Sequence, residues 1–141
     1  MSEQKVEELV LEYENLRRRL AELNSLMQLL SASLSEIQMS LETLSSLENL
    51  SEETSLLAPA GTLILVPVRY KPLKKILVNT GAGYYIEMGI EEAKRFVENR
   101  GRVIRELLNR ASLEARNVMY RMKEIEDVIR AKMAGKQGRK Q

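Results

Sequence analysis

Apolar residues recur along the first third of the chain at alternating steps of three and four: Val6, Leu9, Tyr13, Leu16, Leu20, Leu23, Met27, Leu30, Leu34, Ile37, Leu41 and Leu44. An unbroken 3.5-residue repeat of this length predicts a helix with one continuous apolar seam, the pattern of a coiled coil. No glycine or proline occurs before Pro59, so nothing interrupts a helix from about Ser2 to about Leu50. At ~1.5 Å per residue such a helix is ~70 Å long. A seam of that length cannot be covered by a small domain of its own and requires a partner helix. The C-terminal segment offers one, with Val97, Ile104, Leu108, Ala111, Ala115, Val118, Met122, Ile125 and Ile129 at the same spacing. Its seam is weaker. The two alanines leave room for larger residues from the facing helix, and Gly101 lowers local helix stability by ~1 kcal/mol relative to alanine, so some softness is expected there. Off-seam Leu26, Leu29 and Met39 are expected to widen the packed face.

Between the helical patterns lie four short runs that read as strands: Ser55–Ala58, Leu63–Val68, Lys75–Asn79 and Gly83–Glu87. Pro59-Ala60-Gly61, Lys71-Pro72-Leu73 and Gly81-Ala82-Gly83 punctuate them. The result is two hairpins, with Pro67 marking an edge strand or a strand end. Two-stranded ribbons bury little and are marginal alone, so the middle of the chain reads as an assembly module. The fold class is therefore α+β: a long antiparallel coiled-coil hairpin with two small β-hairpins between its helices. The expected divisions are an N-terminal coiled-coil helix over 1–53, the hairpins over 54–88, a C-terminal coiled-coil helix over 89–133 and a flexible basic tail over 134–141, in a single domain.

Charge supports the antiparallel pairing. The net charge is +2, but residues 1–53 carry 4 Lys/Arg against 11 Asp/Glu, and residues 89–141 carry 14 against 8. An acidic first helix and a basic last one attract each other, which sets residue 6 near 132 and residue 44 near 94.

The chemistry available is narrow. The absence of His and Cys removes the commonest acid–base catalyst, thiol nucleophiles, disulfides and the usual zinc ligands. Gly81-Ala82-Gly83 invites a phosphate-loop reading, but a dinucleotide fingerprint needs a third glycine where Ile86 stands, and it must open directly into a helix. Tyr84-Tyr85-Ile86 suits a strand, so Thr80-Gly81-Ala82-Gly83 is read as a hairpin turn with glycine supplying positive φ. The acidic pairs Glu52/Glu53 and Glu91/Glu92 do not make a catalytic dyad, because adjacent helical residues point apart and first-turn acids answer the helix dipole. No enzymatic activity and no cofactor are expected. No apolar run reaches the ~20 residues of a membrane span, and "MSEQKVEE" lacks the features of a signal peptide, so a soluble, cytoplasmic protein without a membrane partner is expected.

The order helix, two hairpins, helix, together with "VNTGAGYYIE" followed by "GIEEAKRFVENR", resembles the alpha subunits of prefoldin, of the archaeal type. The likeness covers nearly the whole chain and is most specific over Val78–Ala93. It departs from the family's pattern in "RYKPLKK", where an acidic turn is common, and this bears on the register around Arg69–Lys75. The resemblance implies a subunit of an ATP-independent chaperone in which two alpha and four beta subunits join through their hairpins. Coiled-coil ends then capture unfolded polypeptides for delivery to a group II chaperonin.

On that basis the client-binding candidates are apolar residues near the free ends of the helices: Val6, Leu9, Val10 and Leu11 on the first, Met119, Tyr120, Met122, Ile125, Val128, Ile129 and Met133 on the last. Methionine adapts to varied apolar partners. The assembly candidates are Leu63, Ile64, Leu65, Val66, Ile76, Leu77, Val78, Tyr84, Tyr85 and Ile86, whose strands otherwise leave open edges. The main alternative is a structural coiled-coil scaffold whose hairpins act as a dimerisation clasp. The tail "RAKMAGKQGRKQ" is basic enough to attract phosphate, yet it reads better as a solvated terminus. The resemblance adds a third reading, contact with an acidic surface of the chaperonin, and nucleic acid is not the expected partner.

Overall fold

The computed structural model describes residues 2–72 and 75–139. Part of the basic linker and the last two residues of the basic tail lie outside the described residues. The elements in order are α1 (Glu3–Leu47), β1 (Ser55–Pro59), β2 (Leu65–Arg69), β3 (Ile76–Gly81), β4 (Tyr84–Met88) and α2 (Ile90–Arg139). Two long helices with two antiparallel hairpins between them are the architecture that the periodicity predicts.

Local chemistry accounts for the helix ends. Ser2 opens α1, its Oγ accepting from the Lys5 N–H at 3.3 Å as an N-cap does. At the other end no glycine stops the helix. Instead the hydroxyls of Thr43 and Ser46 donate to the carbonyls of Met39 and Glu42, both at 2.9 Å, and such side chains offer the backbone alternatives to helix. A turn in which Ser51 and Thr54 bond each other follows. Gly89 leads into α2, where Glu91 and Glu92 occupy the first turn and complement the helix dipole. The helix continues through Arg139 rather than ending near residue 133. Gly135 and Gly138 together cost only ~2 kcal/mol, and Lys136 suits a helix C-terminus.

The chain forms two compact units. The first joins α1 up to Ser33 with α2 from Ile104. Its core is the buried set Leu23, Ala111, Ala115 and Val118, with Leu16, Leu20, Met27 and Met122 packed against it. The alanines of α2 make room for leucines of α1, as the uneven seams imply. Ion pairs fix the antiparallel register: Arg19 bonds Glu114 at 2.7 and 3.0 Å, and Arg121 bonds Glu12 at 2.8 and 3.0 Å.

The second unit runs from Leu34 to Val103. Leu44, Met88 and Ala93 form its buried core, joined by Ile76, Val78, Ile90, Phe96 and Val97. The β3–β4 hairpin is thus anchored to both helices through one face of β3 and the end of β4. Gly101 is buried within an unbroken helix, so it belongs to the seam between Val97 and Ile104 and is not a break in it.

The hairpins are separate two-stranded sheets, β1 with β2 and β3 with β4. In the first, hydrogen bonds from Ala60 to Ile64 and from Tyr70 to Thr54 set the alternation of the ladder. By that parity Pro59, opposite Leu65, and Pro67, opposite Leu57, both fall at non-hydrogen-bonded positions, where no donor to the partner strand is needed. Leu63 and Ile64 are not strand residues as predicted. They lie in the connection, where Gly61 takes φ +81° and the Ala60 N–H reaches across to Ile64 at 2.8 Å. In the second hairpin Ala82 and Gly83 take φ of +52° and +80°, the sign that a two-residue type I′ turn requires. The pairing skips Thr80 as a bulge between Asn79 and Gly81, and the Asn79 Oδ1 accepts from the Gly81 N–H at 2.9 Å.

Candidate binding surfaces

The glycine motif is the tip of the β3–β4 hairpin, with Tyr84–Met88 continuing as strand. It therefore lacks the direct opening into a helix that a dinucleotide fingerprint requires. Among the described residues no group of His, Cys, Asp or Glu is placed to hold a metal ion, and no helix is long and apolar enough to cross a membrane.

Near the chain ends the first unit sorts the predicted capture residues by burial. Val10, Leu11, Met119, Tyr120, Val128 and Met133 are exposed, on helix faces turned from the seam. Val6, Leu9, Met122 and Ile129 are half-buried. Ile125 is 0% exposed and is out of a ligand's reach, because the seam stays closed at its level. The neighbouring ties explain why: the Glu12–Arg121 pair, and a 2.7 Å bond donated by the Tyr13 hydroxyl to Glu126. The Arg121 guanidinium holds the Glu12 carboxyl below its ordinary value, and the bond to Glu126 raises the Tyr13 phenol. Where the seam runs out, a cleft of about 370 Å³ opens between the helices. It is lined by the apolar Val6, Ile129 and Met133 and by the charged Glu3, Glu7, Lys132 and Lys136. Ile129 and Met133 also line an adjoining depression of about 310 Å³ beside Tyr13.

Leu26, Leu29 and Met39, expected to widen the packed face, are exposed instead at 42%, 66% and 65%. A two-helix coil has only one covered stripe, and these residues lie beyond it. Leu107 and Leu113 of α2 are also exposed, and reading the seam alone passed them over.

In the second unit the hairpins carry most of the uncovered apolar surface. Every residue of β2 is exposed, although an isolated sheet with a buried face shows alternation. Leu63 and Ile64 in the connection, then Leu65, Val66, Leu77, Tyr84, Tyr85 and Ile86, are all exposed, whereas Ile76 and Val78 pack inward. A groove of about 840 Å³ lies between β3 and the two helices, with Leu44, Ile76, Val78 and Phe96 among its walls and Arg100 at its edge.

In the first unit the helices close along their seam and an apolar cleft opens near the chain ends; in the second the hairpins leave apolar side chains uncovered. Residues 16–135 match the family model described as "Prefoldin: Prefoldin subunit", and the chain belongs to the prefoldin family, a family of chaperones. It is similar to the prefoldin subunit alpha of Thermofilum pendens, 28% identical over 124 residues that cover 88% of this chain and 96% of that protein. The prefoldin subunit alpha of Archaeoglobus fulgidus is 31% identical over 121 residues, covering 86% and 83% respectively. Among solved structures, a chain of filamentous PFD from Methanocaldococcus jannaschii matches with a TM-score of 0.55 and 25% identity, over 92% of this chain and 99% of that one.

Proposed function

We propose that this chaperone subunit is an ATP-independent holdase of the alpha type. It joins prefoldin beta subunits through its hairpins, two alpha with four beta, and captures non-native polypeptides in the cytoplasm at the ends of its coiled coil for delivery to a group II chaperonin. The observation that carries this reading is the pairing of two unsatisfied surfaces. β2 and β4 expose apolar side chains that a stable soluble chain leaves open only for a partner, and an apolar cleft with the adaptable Met133 opens where the helices end. Six of the predicted capture residues are exposed to a client, Val6 and Ile129 are reached through the cleft, Leu9 and Met122 are half-buried, and Ile125 acts only by holding the seam together.

The test is mass by light scattering, alone and after mixing with a prefoldin beta subunit of the same cell, followed by aggregation assays. A complex of two alpha and four beta chains that loses protection when Val10, Leu11, Met119 and Met133 are changed to serine is the expected result. Assembly with protection unchanged in that variant favours the scaffold alternative, and indifference to every beta subunit overturns the assembly itself.

A further inference from the structure

The ion pairs of the first unit define a flanking row on one side of the seam, and counting along it reveals an exception. Glu12 pairs with Arg121 and Arg19 pairs with Glu114; each step of seven up α1 is matched by a step of seven down α2, as an antiparallel coil requires. One further step sets Leu26 opposite Leu107. Both are exposed, at 42% and 44%, and Leu29, three residues from Leu26 and therefore its neighbour on the helix surface, is exposed at 66%. Where two successive heptads carry Arg–Glu pairs, the third carries leucines.

We infer that Leu26, Leu29 and Leu107 form a second capture site on the shaft of the coil, which takes a short apolar segment of a non-native polypeptide. The inference rests on the holdase reading and extends it from the helix ends to the shaft. Area selects the occupant. Three leucines exposed to this extent present on the order of 300 Å², the size of a functional patch on a monomer and well below the ~800 Å² per partner of a stable interface. A permanent neighbour is therefore disfavoured, and a brief apolar contact fits. At the border of the patch Arg19 is engaged by Glu114 and by Glu22 at 3.2 Å, and exposed Arg110, three residues from Leu107, adds a cation to its margin.

The register supplies a clean variant. L26R/L107E continues the Arg–Glu row by one heptad, so the coil keeps its stability while the leucine pair is lost. The full chain, co-assembled with its beta partner, is mixed with guanidinium-unfolded rhodanese, and scattering is followed on dilution. A photoreactive benzoylphenylalanine at position 29 reports contact in a parallel sample. The expected result is protection reduced at least twofold in L26R/L107E with thermal unfolding unchanged, and a crosslink from position 29 to rhodanese. Wild-type protection in the variant, no crosslink, or a crosslink to another subunit overturns the shaft site while leaving capture at the helix ends intact. Absence of protection by the wild-type assembly removes the holdase reading and the shaft site with it.

Discussion

Ala82 holds a left-handed φ of +52°, a conformation that costs an alanine roughly 1–2 kcal/mol and suits asparagine or glycine in a type I′ turn. Ala82→Asn is expected to stabilise the β3–β4 hairpin by about 0.5–1 kcal/mol, read as slower amide exchange across its ladder. Gly83, at +80° with open space where a methyl group would stand, carries the same requirement, and Gly83→Ala speeds that exchange by backbone strain alone. The carboxylates of Glu12 and Glu114 behave differently. Hydrogen bonds from Arg121 and Arg19 hold both below their ordinary value of 4.5. The folded form therefore binds fewer protons than the unfolded one near that pH, and the contribution, present above 4.5, is lost as pH falls through the depressed folded values. These pairs are exposed, so the effect is small and screened by salt. E12Q/E114Q is expected to flatten the acid limb of a plot of melting temperature against pH between about 5 and 3, and an unchanged limb would assign it to other carboxylates.

At the scale of elements, the two seams differ in what they demand of their residues. Leu23 is buried among Ala111, Ala115 and Val118, where the facing alanines have no further side chain with which to fill a void. Leu23→Ala is expected to cost ~2–4 kcal/mol, measured by urea unfolding, whereas exposed Leu113→Ala stays within ~0.5 kcal/mol. The seam itself was legible in the sequence because a 3.5-residue period repeated over twelve positions has one physical solution. Its neighbours were not. Leu26 and Leu29 carry no mark in their own identity that separates a widened core from an exposed patch; only the register of the facing helix does so. Gly101 read as a weak point because helix propensity is local, while its burial is a matter of packing. In the hairpins the glycine turn was legible from Gly81-Ala82-Gly83, but the start of β2 was not, since Leu63 and Ile64 are as strand-like as Leu65 and yet lie in the connection.

For the whole molecule, the helices and the hairpins present separable problems of solvation. The helices cover their seam within one chain, whereas β2 is exposed along its length and Tyr84, Tyr85 and Ile86 remain open on β4. Lysine on such strands leaves the coil untouched and blocks edge and face contacts alike, the device by which soluble sheets avoid association. Val66→Lys combined with Ile86→Lys is therefore expected to keep the helical circular dichroism and melting temperature of the isolated chain. The same variant is expected to abolish the mass increase on mixing with a beta subunit. A variant that still assembles would move the subunit contacts off the strands, leaving the groove between β3 and the helices as the next surface to alter.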